Sequence, residues 1–479
     1  MSASLMSLKP EKFPEDQHLS SPIPRIVVVG GGAGGLELVT RLGNTLGAKH
    51  QAEIFLIDAS LTHIWIPLLH EVAAGSLNAF EQEVDYFSHA SRHHFQFITG
   101  RLAGLNRKSR TILLAPMQTP ALPVREIPYD VVVLAIGSQS NDFGIPGVRD
   151  HCLFLDSREQ ADAIRQRLLA ECLKRQARDW YHLPETRSTA ELPGPDGGNA
   201  VATQLETVPT VGSQTPHTEF SLCIVGGGAT GVELAAELSE SIRQLQRHGF
   251  AEIQPHQVSI TLIEASDRLL PPLPEAVSRR ARADLEAMGV EVLTQSTVRE
   301  VSEESLTLSD GRILPATMCI WAAGIKASPV LSLLDGLETN RLNQLVVGAT
   351  LQTSHDPNIF AMGDCASLIP DGDTRALPPR AQVANQQGIY LSKALRDYIQ
   401  NKPLNAFHFL DRGSLVSLSH HSTVGNLIGN IQVYGLAARL MYISLYRLHQ
   451  AALHGLPHMV LLLVRDMLSG RTRPILKLH

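Results

Sequence analysis

Two copies of one glycine-rich pattern constrain the fold of this 479-residue chain more than any other feature of its sequence. The first copy, PRIVVVGGGAGGLELVTRL, starts at Pro24, and the second, FSLCIVGGGATGVELAAEL, starts at Phe220. In each copy a β-branched apolar run leads into a glycine cluster and then into helical periodicity, which predicts a strand, a tight turn and a helix. The repeat therefore predicts two dinucleotide-binding units in one chain.

The glycines of both copies stand at G-x-G-x-x-G spacing. They are Gly30, Gly32 and Gly35 in the first copy, with Gly34 beside them, and Gly226, Gly228 and Gly231 in the second. In this pattern the first glycine allows the turn, the second lets the backbone approach a pyrophosphate, and the third lets helix and strand pack closely. The pyrophosphate is expected to bind the unpaired N–H groups of the helix N-terminus.

An acidic residue ends the next apolar run after each copy. Asp58 closes AEIFLID and Glu264 follows VSITLI, which places them 28 residues after Gly30 and 38 after Gly226. Both distances exceed the usual spacing of about 20 residues, and polar insertions in the intervening helices account for the excess. Each carboxylate is expected to accept hydrogen bonds from ribose hydroxyls. A carboxylate at the second site also repels a 2′-phosphate, which favours NADH over NADPH.

Three further strand-then-turn elements set the order of the two units. They are PYDVVVLAIGS at 128–138, MCIWAAG at 318–324 and NIFAMGDCA at 358–366. Their order predicts an α/β fold of two Rossmann-like dinucleotide-binding domains in which the second is inserted in the first. The predicted divisions are a flexible N-terminus at 1–23, one domain at 24–157 and 325–411, the inserted domain at 158–324 with a loop insert at 180–219, and a C-terminal helical region at 412–479.

This layout resembles the two-dinucleotide-binding-domain flavoproteins over residues 24–400. The resemblance implies that the first copy binds FAD, that the inserted copy binds NADH, and that Asp364 of the GDCA turn contacts the FAD ribitol. It also implies that small residues of the strand-end turns contact the cofactors. These are Ala135, Gly137, Ala323, Gly324 and Gly363, together with Ala381 at the start of the following helix.

The cysteines bear on what accepts the electrons. All five are scattered, no two stand at C-x-x-C spacing, and the segment ASLTHIWIPLLHEVAAGS after Asp58 contains none. This excludes the dithiol relay of disulfide reductases, and it predicts no metal site. Cys152 and Cys365 are a poor match to the paired cysteines of sulfide:quinone oxidoreductases.

The segment AQVANQQG at 381–388 resembles the A-Q-x-A-x-Q-Q-G signature of the type II NADH:quinone oxidoreductases. Gln382 and Gln386 stand at i and i+4, so a helix would place both on one face beside the small Ala381 and Ala384. The resemblance implies that this helix borders the flavin and the quinone head group, and it matches Glu233 to an acidic residue near the nicotinamide and flavin. The alternative from the residues alone is an ordinary packed helix with solvated glutamines.

The tail differs in charge from the body. Residues 412–479 hold seven basic residues and one acidic residue, a net charge of +6, which leaves −12 for the rest of a chain whose net charge is −6. From Val433 the sequence predicts a helix whose apolar face includes Leu436, Leu440, Ile443 and Leu448. A second apolar stretch starts at Gly455, and no stretch is long enough to span a bilayer. We therefore expect amphipathic helices that lie on anionic lipid, with a helical pair that covers the core or forms a homodimer contact as the alternative.

The sequence as a whole predicts an FAD-dependent enzyme that transfers electrons from NADH to a membrane quinone, ubiquinone or menaquinone, without proton pumping. Gln382 and Gln386 are expected near the quinone, and Glu233 is the candidate electrostatic or proton-handling residue. The predicted location is the cytoplasmic face of the inner (plasma) membrane. The mild net charge argues against nucleic acid as a partner. Two alternatives remain: a soluble NADH-dependent flavin reductase that serves a ferredoxin or rubredoxin, and a redox-sensing binding protein.

Overall fold

The computed structural model describes residues 23–118, 121–181, 220–247, 258–418, 422–427, 431–455, 459–461 and 463–464. The predicted N-terminal segment up to residue 22, most of the insert predicted at 180–219, and most of the second apolar stretch of the tail lie outside these residues.

The strands are numbered along the chain as β1 Arg25–Val29, β2 Glu53–Asp58, β3 Thr62–His63, β4 Val84–Asp85, β5 Gln96–Thr99, β6 Leu102–Asn106, β7 Thr111–Leu114, β8 Arg125–Pro128, β9 Val131–Leu134, β10 Ser138–Ser140, β11 Cys152–Phe154, β12 Phe220–Val225, β13 Val258–Ile263, β14 Val290–Leu293, β15 Val298–Val301, β16 Ser305–Leu308, β17 Ile313–Pro315, β18 Met318–Trp321, β19 Ile325–Ala327, β20 Leu345–Val346, β21 Gln352–Thr353, β22 Asp356–Ala361, β23 Ala366–Ser367, β24 Gly413–Leu418, β25 Ser422–Leu427 and β26 Ile431–Tyr434. The helices are α1 Ala33–Leu42, α2 Leu69–Ala74, α3 Ala79–Gln82, α4 Tyr86–Arg92, α5 Val148–His151, α6 Arg158–Tyr181, α7 Ala229–Arg247, α8 Glu275–Ala287, α9 Ala381–Tyr398 and α10 Gly435–His454.

The first large sheet has the strand order β21-β22-β9-β1-β2-β5. Its strands are parallel apart from the edge strand β21. The core of β1, from Ile26 to Val29, is at most 2% exposed. A continuous apolar run of this kind is typical of a parallel strand that is covered on both faces. The carboxyl ends of these strands therefore meet at one edge of the sheet, where the first glycine turn and the GDCA turn lie.

The second large sheet has the order β11-β18-β12-β13-β14 and is parallel throughout. All its strands come from the chain between β9 and β22 of the first sheet, so one Rossmann-like unit is inserted in the other. This confirms the predicted fold class. A two-stranded antiparallel link, β10 with β19, joins the units where the chain enters and leaves the insertion.

One predicted boundary differs from the observed pairing. The division at residue 157 assigns Cys152–Phe154 to the first domain, but these residues form β11 and pair with β18 of the second sheet. The strand is only three residues long. Its place is set by its pairing with a strand about 167 positions away in sequence, so no local pattern indicates it.

The tail also differs from the prediction of a purely helical region. Residues 413–434 form the antiparallel sheet β24-β25-β26, and the predicted helix begins only at Gly435, as α10. Val416, Leu418 and Val424 of this sheet are buried in the same apolar cluster as Leu234 of α7. The sheet therefore joins the tail to the inserted unit. Among the described residues, no helix combines the length and the apolar character that crossing a membrane requires.

Candidate functional site: two glycine turns and a glutamine-bearing helix

The first glycine turn leaves no room for a side chain at Gly30, Gly34 or Gly35. Gly30 has φ +107°, and a Cβ added there would overlap the carbonyl oxygen of Ala135 at the end of β9. A Cβ on Gly35 would overlap the carbonyl oxygen of Gly30, so α1 packs directly on its own turn. Gly34 allows a second helix, α9, to pack closely on α1, because a Cβ there would lie 2.5 Å from the carbonyl oxygen of Ala384.

The second glycine turn repeats this geometry in the inserted unit. Gly226 has φ +119°, and a Cβ there would lie 2.6 Å from the carbonyl oxygen of Ala322 at the end of β18. A Cβ on Gly231 would overlap the carbonyl oxygen of Gly226. Both turns therefore use the first and third glycines for the same steric reasons, as the spacing predicts.

The middle glycine of each turn faces open space. In the described part of the chain, a Cβ on Gly32 or on Gly228 would meet no heavy atom within 4 Å. Gly32 is the N-cap of α1, and no side chain caps that helix. The first N–H groups of a helix need partners, and an uncapped end with clear space in front of it fits a pyrophosphate. The two turns thus have the shape and the donors for one dinucleotide each.

Each predicted ribose-binding acid lies against its own glycine turn. Asp58 accepts hydrogen bonds from the Gly31 N–H at 2.6 Å and the Ser60 N–H at 2.8 Å. Burial raises the pKa of Asp58, and these N–H groups oppose that shift. At the second site Glu264 accepts from the Gly227 N–H at 2.6 Å and the Ser266 N–H at 2.7 Å. Both carboxylates keep lone pairs for ribose hydroxyls, since each oxygen accepts more than one hydrogen bond.

The GDCA turn is fixed from three sides. The Ser138 hydroxyl donates to Asp364 Oδ2 at 2.7 Å, and Gln344 Nε2 donates to the Asp364 carbonyl at 2.9 Å. Gly363 has φ +70°, and its N–H donates to Gln387 Oε1 of α9 at 2.7 Å. Burial raises the pKa of Asp364. Sequence reasoning missed Gln387, although it is the third glutamine of the AQVANQQG segment and is only 2% exposed.

The remaining predicted cofactor residues fall into the same two groups. Ala135 and Gly137 follow the carboxyl end of β9, and Ala381 is the first residue of α9. All three therefore belong with the first glycine turn and the GDCA turn. Ala323 and Gly324 lie with the second turn, at the carboxyl end of β18. A Cβ on Gly137 would meet nothing within 4 Å among the described residues, whereas one on Gly324 would overlap the ring of Phe143.

Gln382 and Gln386 lie on one face of α9, and both hold the chain that leads into β24. Gln386 donates to the Leu410 carbonyl at 2.8 Å and accepts from the Leu410 N–H at 3.0 Å. Gln382 accepts from the Arg412 N–H at 2.7 Å and donates to the Gly413 carbonyl at 3.2 Å. Neither amide is simply solvated. Together they fix residues 410–413 along the helix.

Glu233 is buried where α7 meets the tail sheet. It is 7% exposed, and its Oε1 accepts from the Ser417 N–H of β24 at 3.0 Å. Its Oε2 lies 3.6 Å from His70 Nδ1 of α2. Burial is the main cause that raises the pKa of Glu233 to about 8; the Ser417 N–H opposes the shift, and the negative charges of Glu71 and Glu237 add to it. The group therefore carries a proton at neutral pH.

Two more carboxyl groups surround Glu233, and sequence reasoning singled out neither. Burial and the charge of Glu237 raise the pKa of Glu71 to about 8, while Arg439 of α10 opposes the shift. Glu237 accepts from the Ser76 hydroxyl at 3.0 Å. Burial, and then these three acids, raise the pKa of Tyr442 of α10. The sequence could have identified Glu237 from its i, i+4 spacing to Glu233, because this spacing places both on one face of α7.

The Glu233→Gln variant is expected to lose part of the pH dependence of stability. The pKa of Glu233 is raised from 4.5 to about 8 on folding, so its contribution to the free energy of unfolding is present below pH 4.5 and is lost as the pH rises through 8. Thermal unfolding at about pH 6 and about pH 9 measures this. The wild-type Tm should fall more between the two values than that of the variant. Glu303→Gln, at an exposed position, is the control. An equal fall in Tm for the wild type and for Glu233→Gln would contradict the raised pKa of Glu233.

A family model described as pyridine nucleotide-disulphide oxidoreductase matches residues 24–388. Among curated proteins, a type II NADH:quinone oxidoreductase of Haemophilus influenzae is 40% identical over 463 residues, covering 95% of this chain and 99% of the relative. A protein of the same name from Staphylococcus aureus is 27% identical and covers 85% of this chain and 90% of the relative.

Solved structures share the fold at lower identity. The structure of NDH2 from Plasmodium falciparum in complex with NADH superposes with a TM-score of 0.75 at 18% identity, covering 95% of this chain and 100% of that one. The sulfide:quinone oxidoreductase of Aquifex aeolicus superposes with a TM-score of 0.65 at 15% identity, with 90% and 92% covered. The fold is therefore shared with solved structures along almost the whole chain.

Proposed function

The chain belongs to the pyridine nucleotide-disulphide oxidoreductase family and, within it, to the type II NADH:quinone oxidoreductases, and we propose on this basis that it oxidises NADH and reduces a membrane quinone. The observation that carries the proposal is the paired site. Two glycine turns, each with open space at its middle glycine and an acid anchored on the turn, occur in a chain that is 40% identical to a curated enzyme of that name over 95% of its length.

FAD fits the first unit and NADH the second. At the first turn, open space before Gly32, the anchored Asp58 and the fixed Asp364 supply pyrophosphate, ribose and ribitol contacts. At the second turn, Gly228 and Glu264 supply the equivalent pyrophosphate and ribose contacts. Bound FAD supplies two-electron chemistry that amino-acid side chains do not, while the protein positions the reactants.

The quinone head group is proposed to approach α9 next to the GDCA turn. Ala384 lies close to Gly363, since a Cβ added to Gly363 would come within 3.3 Å of the Ala384 Cβ, which is tighter than ordinary contact. Gln382 and Gln386 hold residues 410–413 beside this place and form its polar wall. Glu233 holds a proton at neutral pH and is the proposed electrostatic or proton-handling group near the nicotinamide.

Gln386→Ala is expected to raise the KM for quinone about tenfold and to leave the KM for NADH unchanged. The variant loses two hydrogen bonds to Leu410, and the net loss of about 1–1.5 kcal/mol loosens the proposed wall. Steady-state kinetics with each substrate varied in turn measure the split. Gln400→Ala, an exposed glutamine just after α9, is the matched control. Equal changes in both KM values, or none, would contradict a quinone-side role.

The tail is proposed to attach the enzyme peripherally to the cytoplasmic face of the membrane. Support comes from the surface of α10, where Leu436 is 72% exposed, Leu440 60% and Leu448 64%. An exposed apolar helix face of this kind suits the headgroup region of a membrane. The alternative occupant of this face is a second copy of the chain, in a homodimer.

The acceptor assignment is tested by supplying purified enzyme and NADH with a short-chain quinone, a rubredoxin or a ferredoxin in separate reactions. The proposal expects rapid turnover with quinone and slow turnover with either protein. Faster turnover with rubredoxin or ferredoxin would favour a soluble flavin reductase. Negligible turnover with every acceptor would favour a redox-sensing binding protein.

A further inference from the structure

Phe143 has an unusual backbone and an exposed ring. Its φ is +52°, in the left-handed region that bulky residues rarely adopt, and the residue is 58% exposed. Strained residues of this kind persist where the surrounding structure holds them, and they cluster at functional sites. A large apolar ring that stays mostly exposed in such a backbone contributes little to the core.

Polar contacts hold the loop at 141–144 onto the end of β18. The Phe143 N–H donates to Asn141 Oδ1 at 3.0 Å, and the Asn141 N–H donates to the Gly324 carbonyl at 3.1 Å. The Trp321 indole N–H donates to the Asn141 carbonyl at 2.8 Å. Asp142 pairs with Lys326 at 2.8 Å. The loop is therefore a fixed part of the inserted unit, although it precedes β11 in sequence.

The ring of Phe143 lies on Gly324. Gly324 has φ +64°, and a Cβ there would overlap the Phe143 ring, so only glycine leaves the ring in place. Two residues before Gly324, the carbonyl oxygen of Ala322 lies against the Gly226 turn. The ring, the end of β18 and the second glycine turn are thus consecutive along one edge of the sheet.

The strand order indicates which half of NADH would reach this ring. β13 and β18 lie on opposite sides of β12, so the switch point of the sheet lies between β12 and β18. A dinucleotide crosses such a switch point with its pyrophosphate at the glycine turn. Glu264 follows β13 and marks the adenosine ribose side. The other half of the dinucleotide, nicotinamide riboside, then extends over β18 toward Gly324.

We propose that Phe143 is a positioning residue for the nicotinamide riboside half of NADH, with its exposed ring forming one wall of that subsite. The inference rests on the proposed function only in taking the second glycine turn as the NADH site. An aromatic wall suits the flat, weakly polar dihydronicotinamide ring, and the hydrogen bonds of the loop fix its position before the nucleotide arrives.

The test compares Phe143→Asn and Phe143→Tyr in the FAD-loaded enzyme. Asparagine tolerates positive φ but has no ring, whereas tyrosine keeps the ring. Calorimetric titration with NAD⁺ should show binding about tenfold weaker for the asparagine variant, with wild-type affinity for the tyrosine variant. Titration with ADP-ribose, which lacks nicotinamide, should give one affinity for all three proteins. The KM for NADH should rise in the asparagine variant while the KM for quinone stays unchanged.

Phe87→Asn, at another exposed phenylalanine in the first unit, is the matched control and should bind NAD⁺ as the wild type does. Equal weakening of NAD⁺ and ADP-ribose in Phe143→Asn would overturn the proposal, because the ring would then act on the whole unit. Unchanged NAD⁺ binding in that variant would overturn it too. Failure of the proposed function is separate: the wild-type protein itself would then fail to bind NAD⁺ or to reduce quinone.

Discussion

Alanine at Gly30 is expected to give protein without flavin colour, and alanine at Gly226 is expected to give yellow protein that NADH does not reduce. Both glycines have φ above +100°, and at both a Cβ would press on the carbonyl of the neighbouring strand end. The turn must move, and its N–H groups then leave the pyrophosphate. Losing two charge-assisted hydrogen bonds at about 1.5 kcal/mol each weakens binding about 100-fold.

The measurement is the ratio of flavin absorbance to protein absorbance after purification, followed by addition of NADH. Gly311→Ala is the matched control, since Gly311 has φ +88° but open space around it, away from both turns. That variant carries similar backbone strain and should keep its colour and its NADH response. Loss of flavin from Gly226→Ala with retention by Gly30→Ala would reverse the assignment of the two units.

Glutamate at Leu436, Leu440 and Leu448 together is expected to release the enzyme from anionic vesicles. If each exposed side chain contributes about 1.5 kcal/mol when it enters the lipid, three of them account for about 4.5 kcal/mol. Vesicle affinity should therefore fall at least about 1,000-fold. Co-sedimentation with vesicles that contain anionic lipid measures this, and NADH turnover with a soluble quinone should persist.

A matched triple variant tests whether the loss of vesicle binding is specific to the α10 face or follows from replacing any three exposed apolar side chains. Ile313, Leu333 and Leu342 are 69%, 70% and 50% exposed and lie outside the tail. Glutamate at these three positions should leave vesicle binding intact. If the tail variant still binds vesicles but changes from dimer to monomer, the face is a contact between two copies of the chain, and the membrane role is wrong.

The sequence predicted the parts of the site that local chemistry determines. The glycine turns follow from spacing, because the turn and the helix start are set within about six residues. The acids Asp58 and Glu264 follow from their place after an apolar strand, and both lie on their turns as that pattern requires. The helical face that Gln382 and Gln386 share follows from i, i+4 spacing.

The missed parts depend on contacts between distant segments. Glu71 meets Glu233 and Glu237 only because α2 packs on α7, and Tyr442 joins them from α10. The tail sheet was missed because strand formation depends on pairing and on the cluster that Val416 joins, which local propensity does not reveal. Phe143 escaped notice because neither its positive φ nor its contact with Gly324 is visible in the sequence.

The proposed relay requires both nucleotides to be held so that electrons pass from NADH through bound FAD to quinone. Its most direct test is an anaerobic stopped-flow experiment at the flavin absorbance maximum, with NADH mixed first and a short-chain quinone second. The absorbance should fall after NADH and return after quinone, and Gly226→Ala should show no fall. Flavin that NADH does not bleach, or that stays bleached after quinone, would contradict the account.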